Sequence, residues 1–352
     1  MGLMVRQAES PRTDHGRRRD GQVVGVLLAM VILVALAPGS NADVVERLEA
    51  ADNAGSAVAW SRYAHADDSV DVVIVARDDL FADALSSGAL QGLAGAPLLL
   101  TGEDGLAPET AEELDRLFPD TVVLMGGTVA ISEFVEADLY DAGYDVDRVF
   151  GADRVATAVD AASGFFADAT TALLVRAYGS DADPTAAFAD SLAAGAHAAA
   201  TQMPILLSAS EGLSPATADH LARSAIETVT LVGGEVALSA QVAADLDALG
   251  VAVTRVAGRT REETALALAR LRFPDGAPDT VLLVDGADPD AWASGFPAAS
   301  LADRGAAVLL TNGPDLPAAT ASVGLEGPTI CGPNVDPAAC DAADAAGGST
   351  QG

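Results

Sequence analysis

The chain has 352 residues with 51 acidic and 19 basic side chains, a formal net charge of −32, and every basic one is arginine. Without lysine it can build no P-loop, no pyridoxal Schiff base and no S-x-x-K hydrolase site. An apolar content of 50% makes the chain globular, with roughly two or three units of ~100 to 200 residues, whereas its acidity excludes phosphate-driven binding to DNA or RNA and opposes docking on anionic lipid.

In chain order, Arg17, Arg18 and Arg19 precede an apolar run from Val23 to Ala37, closed by Pro38, Gly39, Ser40, Asn41 and Ala42. A basic segment, an apolar core and small residues at Ser40 and Ala42 make residues 1–42 a secretory signal cleaved after Ala42. The alternative is a retained N-terminal anchor, although the run is shorter than the ~20 apolar residues of a spanning helix. The rest of the chain is then expected outside the cytoplasm. Cys331 and Cys340 fit that address, because an exported chain can keep a disulfide as a staple for a short loop. Two unpaired thiols are the alternative.

Beyond residue 42 the chain repeats itself. LLLTGEDGLAPET at 98–110 returns as ILLSASEGLSPAT at 205–217 and as VLLTNGPDLPAAT at 308–320. VVLMGGTVAIS at 122–132 returns as VTLVGGEVALS at 229–239, and DRVFGADRVATA at 147–158 as TRVAGRTREETA at 254–265, each after 107 residues. FADAL at 81–85 matches FADSL at 188–192, and RLEAADNAGSA at 47–57 is a weaker early copy of the third segment. The division that follows is 43–147, 148–254 and a degenerate 255–340 whose glycine segment is reduced to ICGPN, with residues 341–352 as an acidic, Ala/Gly-rich tail.

Within the first unit, apolar runs at 70–76, 97–101, 121–125 and 146–150 predict parallel strands covered on both faces. Helices are predicted over Ala82–Leu93, Pro108–Phe118 and Ser132–Ala142, the last with Ser132 as N-cap and Gly143 as C′ stop. Asp52 and Asp153 are expected as helix caps or salt-bridge partners. Strand and helix alternate, so each unit is predicted to be a small three-layer α/β sandwich with right-handed crossovers.

The ordered set F-x-D-A-L, P-[IL]-L-L, G-L-x-P-x-T, V-x-L-x-G-G-x-x-A-[IL]-S and R-V-x-G-x-[DT]-R resembles the type 2 cell-wall-binding repeat of bacterial surface proteins, over about residues 47–340. The resemblance implies three tandem Rossmann-like, Toprim-like repeats packed as a pseudo-threefold assembly. It also implies non-covalent retention of an exported protein on the wall, with a wall-linked anionic glycopolymer or peptidoglycan as partner. The third repeat departs from the pattern. It lacks the closing helix and strand, and Ser294 stands where the others have Asp83 and Asp190.

The resemblance associates P-[IL]-L-L with wall attachment, which maps to Pro97, Leu98, Leu99 and Leu100, to Pro204, Ile205, Leu206 and Leu207, and less closely to Val308, Leu309 and Leu310. Physically that segment reads as a buried central strand, leaving ligand contacts to the hydroxyls that follow, Thr101, Ser208 and Thr311. These lie at carboxyl ends of parallel strands, where open α/β sheets present crevices. Gly126, Gly127, Gly233 and Gly234 could offer backbone N–H groups to an anion; the alternative is a tight turn at positive φ. Arg154 and Arg261 recur after the repeat-start glycines and could meet an anion or bridge between repeats.

The loop after each first strand is acidic: Asp78 and Asp79, then Asp181 and Asp183, then Asp285, Asp288 and Asp290. Hard oxygen ligands there could hold a divalent cation such as calcium, although a solvated acidic loop is the plainer reading. No nucleotide or other cofactor is expected, because the glycine pairs are not G-x-G-x-x-G. Neither G-x-S-x-G nor H-E-x-x-H occurs, and His65, His197 and His220 occupy no repeated position. The expectation is therefore a non-enzymatic wall-binding module, with a surface-layer or protein-interaction scaffold as runner-up and a cryptic wall hydrolase behind both.

Overall fold

The computed structural model describes residues 45–179, 183–274, 276–325 and 327–348, so the segment 1–42 expected as a signal or anchor and Asp181 lie outside the described residues. Strand β1 (Val45–Arg47) leads to α1 (Asn53–Ala64), β2 (Val72–Arg77), α2 (Ser87–Ala94), β3 (Leu98–Thr101), α3 (Pro108–Leu117), β4 (Thr121–Met125), α4 (Glu133–Asp141) and β5 (Asp145–Val149). The succession repeats as α5 (Arg154–Phe165), β6 (Thr171–Arg176), α6 (Ala189–Thr201), β7 (Ile205–Ser208), α7 (Pro215–Leu221), β8 (Thr228–Val232), α8 (Ala240–Ala248) and β9 (Ala252–Val256). A third passage comprises α9 (Arg261–Arg272), β10 (Thr280–Asp285), α10 (Ala291–Gly295), a 3-10 helix Pro297–Arg304, β11 (Ala306–Thr311), α11 (Ala318–Ala321), β12 (Thr329–Cys331) and α12 (Pro337–Gly348).

The strands form three four-stranded sheets in the orders β3-β2-β4-β5, β7-β6-β8-β9 and β11-β10-β12-β1, with every pairing parallel. Helices cover both faces, which is why the strand interiors carry no polar alternation: Val73, Ile74 and Val75 are all buried, as are Leu173, Leu174 and Val175. Asp52 and Asp153 cap α1 and α5 by accepting hydrogen bonds from Gly55 N and Ala156 N. Gly143 follows α4 at φ +92°. Ser132 precedes α4, but its hydroxyl finds no partner among the described residues, so it does not act as a side-chain cap.

Three small-residue helices meet in the middle. Helix α2 packs on α6, and both pack on the 3-10 helix Pro297–Arg304, one element from each sheet. The approach depends on missing side chains: a Cβ on Gly88 would lie 2.4 Å from Gly195 O, and one on Gly92 would lie 1.9 Å from Ala199 O. Each linking helix crosses to the following sheet, α1 onto β3, α5 onto β7 and α9 onto β11. The three units thereby close into a ring around a pseudo-threefold axis.

Ring closure corrects one expectation. The third unit does not lack a closing strand and helix: β1, from the other end of the chain, pairs with β12 (Val45 with Thr329, Arg47 with Cys331), and α12 takes the chain position that α4 and α8 hold in the other units. Residues 341–348 are therefore helix and not tail. Arg47 bonds the Asp341 carboxylate, and a Cys331–Cys340 disulfide ties β12 to α12. A search at fixed intervals misses this because the missing strand lies at the opposite terminus and α12 is written in alanine.

Candidate functional site

The P-[IL]-L-L strands are not central. By sheet order β3, β7 and β11 are edge strands, sealed by the linking helices and the neighbouring unit. Leu98, Leu99, Leu100, Ile205, Leu206 and Leu207 are at most 1% exposed, which places them beyond direct reach of a polymer. Thr101, Ser208 and Thr311 are fully buried as well. The Thr101 hydroxyl donates to Gly105 O and accepts from Ala107 N, and Ser208 does the same with Gly212 O and Ser214 N. Thr311 Oγ1 has no hydrogen-bond partner among the described residues. The Thr101 and Ser208 hydroxyls thus shape the loops after their strands, and all three residues are buried away from solvent.

The glycine pairs take the turn conformation. Gly126 (φ +121°) and Gly233 (φ +100°) adopt backbone that disfavours any side chain, and their carbonyls accept from Arg148 Nη1 (2.8 Å) and Arg255 Nη1 (2.7 Å). Gly127 and Gly234 are half-buried beside the loop tips. A Cβ at Gly126 would meet Asp83 Oδ2 at 2.8 Å, and one at Gly233 would meet Asp190 Oδ2 at 2.5 Å, so each glycine makes room for the acid of its own F-A-D motif.

That acid is clasped by the linking helix. Thr157 Oγ1 donates to Asp83 Oδ1 at 2.7 Å, and Thr264 bonds Asp190 in the same way. Burial pushes the Asp190 carboxyl up against the pull of Arg176, Arg261 and the Thr264 hydroxyl. In the third unit Trp60 Nε1 donates to Ser294 Oγ at 2.9 Å, so α1 closes the ring with an indole where the other helices use threonine. The motif aromatics also converge: Phe81 and Phe188 stack edge-on with centroids 5.1 Å apart, and Trp292 lies 6.2 Å from Phe81.

The recurring arginines sit where one unit meets the next. Arg154 Nη1 donates to Ala177 O, Arg261 Nη1 to Gly286 O, and at the third junction Asn53 Nδ2 donates to Asp78 O. Beyond this shared bond they differ. Arg261 pairs with Asp183 at 3.2 Å and reaches Thr185 at 3.0 Å. Arg154 lies between two rings, 5.1 Å from the Phe81 centroid and 5.3 Å from that of Tyr178, with Phe150 exposed nearby in sequence.

Among the described residues no three His, Cys, Asp or Glu side chains of the acidic loops come together to hold a metal. Four of the described carboxylates are already engaged. Asp79 pairs with Arg77, Asp183 with Arg261, Asp285 Oδ1 accepts from Ala287 N and Gly313 N, and Asp288 Oδ1 accepts from Asp290 N. Asp78 is pushed up by burial and by Asp79. Thr157, Thr264, Phe81 and Tyr178 were not singled out from the sequence. The first three fall inside repeated motifs and were legible there, whereas Tyr178 has no counterpart in the shorter loop between Arg77 and Phe81.

A family model described as cell wall binding domain 2 (CWB2) matches residues 47–136 and 148–243, more than half of the chain. N-acetylmuramoyl-L-alanine amidase LytC of Bacillus subtilis (strain 168) is 27% identical over 291 residues, 82% of this chain and 54% of that protein. The chain thus spans about half the length of this relative. Among solved structures, Cwp8 from Clostridium difficile superposes with a TM-score of 0.74 at 22% identity, covering 86% of this chain and 52% of that one. Cwp6 from Clostridium difficile gives 0.69 at 22% identity, covering 82% and 45%.

Proposed function

Because the chain belongs to the cell wall binding domain 2 (CWB2) family, we propose that it is a secreted protein that attaches non-covalently to a wall-linked anionic polymer and performs no catalysis of its own. The observation that carries the reading is the junction between units, where a linking helix sets the Arg154 guanidinium against a strand end of the next unit. In a chain of net charge −32 such a guanidinium is a scarce attractive point for an anion. The absence of catalysis is supported by the family's binding role and by the engagement of the acids: Asp83 by Thr157, Asp183 by Arg261 and Glu113 by Arg116. Amide hydrolysis belongs to the amidase relative, and a cryptic hydrolase in this chain would show as turnover.

A second reading has its own support. Val129 and Val236 stand at equivalent loop tips, 84% and 88% exposed, and a repeated apolar tip suits a surface protein partner. The test is co-sedimentation of the full chain with wall sacculi before and after the covalently linked polymers are stripped, with and without a chelator. Binding that disappears on stripping is the expected result. Binding that survives stripping would move the ligand to peptidoglycan, absent binding would favour the protein scaffold, and loss on chelation alone would require a bridging cation such as calcium.

A further inference from the structure

The three junctions are equivalent in backbone and unequal in charge. At the second, Asp183 neutralises Arg261, and at the third, neutral Asn53 stands in the arginine's place. At the first, Arg154 has no ion-pair partner among the described residues, and only its bond to Ala177 O ties it to the protein backbone. Asp83 and Asp153 act on it only through space, Asp153 accepting from Ala156 N and Asp83 from the Thr157 hydroxyl. A half-buried guanidinium that bonds no described carboxylate is costly to keep, and the ring faces of Phe81 and Tyr178 offset only part of that cost.

We propose that the crevice between the first and second sheets is a single oxyanion site, in which Arg154 takes one phosphate or carboxylate of the wall polymer while the exposed Tyr178 flanks the adjoining sugar. The planar fork suits either oxyanion, since both accept two parallel hydrogen bonds. The Arg154 Nη1 bond to Ala177 O leaves Nε and Nη2 for the ligand. The other two junctions are structural. Asp183 already occupies Arg261 as a built-in oxyanion, and Asn53 brings no charge. This inference rests on the wall-binding reading and deepens it, by assigning one binding position to each chain and naming its chemistry.

The test follows tryptophan fluorescence, to which Trp60 and Trp292 both contribute, Trp292 lying 6.2 Å from the Phe81 ring that Arg154 covers, while the full chain is titrated with poly(glycerol phosphate) in one arm and polyglucuronate in the other. The expected result is saturation by one of them at one site per chain, which separates phosphate from carboxylate. Arg154→Gln should weaken that binding about tenfold or more, Tyr178→Ala should weaken it less, and Arg261→Gln should leave it within about twofold. Tyr178 is 43% exposed, so its variant keeps the test open if Arg154→Gln unfolds. Unchanged binding by Arg154→Gln, equal loss in Arg261→Gln, three sites per chain, or no response to either polymer from a chain that does bind sacculi would each overturn the proposal and leave wall binding intact. A wild-type chain that fails to sediment with sacculi refutes the wall-binding reading itself, and the proposal with it.

Discussion

Glu113 is fully buried on α3, and its carboxylate accepts from Ser61, Arg62 and Arg116. Burial alone would raise its pKa, but the Arg116, Ser61 and Arg62 hydrogen bonds together with the Arg116 charge hold it below the usual range. The same Arg116 donates to His65 O. Burial, with Arg304 and Arg116 close by, lowers the His65 imidazole to about 4, and burial beside Arg272 lowers His197 to about 4. Between the ordinary 6.5 and about 4 the unfolded chain binds protons at these two histidines that the folded chain does not, so stability falls as pH drops through that window. Urea midpoints should decline from neutral pH to pH ~4, and His65→Gln with His197→Gln should flatten the slope; a flat wild-type profile would show that neither histidine is held neutral. The Glu113 contribution is complete above its ordinary value of 4.5 and is lost as pH falls through the depressed one. Glu113→Gln should therefore cost about 3 kcal/mol at neutral pH and visibly less in acid.

At the scale of elements, the close approach of α2 to α6 rests on glycine. Gly92→Ala would drive a methyl into the Ala199 carbonyl at 1.9 Å, whereas a Cβ on Gly195 would find its nearest neighbour, Ala299 Cβ, at 3.7 Å. Calorimetry should show Gly92→Ala destabilised by about 3 kcal/mol through forced backbone shifts. Gly195→Ala should stay within about 1 kcal/mol of wild type, on the stabilising side, since alanine is the better helix former. Equal tolerance of both would mean the central helices are not in register. The helix predicted over Ala82–Leu93 appears as a 3-10 turn Ala84–Ser86 followed by α2, because the chain must turn at the F-A-D motif before it can lie against its neighbours.

For the whole molecule, three residues from the start of the described chain complete the third sheet. Deleting Val45–Arg47 removes the edge partner of β12 and the Arg47 bond to Asp341. At about 1 kcal/mol per hydrogen bond the third sheet should lose about 3 kcal/mol. Hydrogen exchange should then accelerate in β10 to β12 while β2 to β5 stay protected. Uniform acceleration would instead show that the ring unfolds as one unit.

The sequence by itself determined the repeats and the parallel strands to within about two residues, and it offered capping at Asp52 and Asp153 and a turn at Gly126 and Gly233 as one of two readings each, which the structure then selected. These are local consequences of apolar runs, capping side chains and positive φ, and they recur because the motifs recur. Only the tertiary structure decided that β1 completes the third sheet, that the P-[IL]-L-L strands are sealed edges, and that the matching junctions carry unequal charge. Arg154 and Arg261 hold the same place in a repeated motif. What separates them is whether a carboxylate from a distant loop reaches the guanidinium, and that distance exists only once the ring has closed.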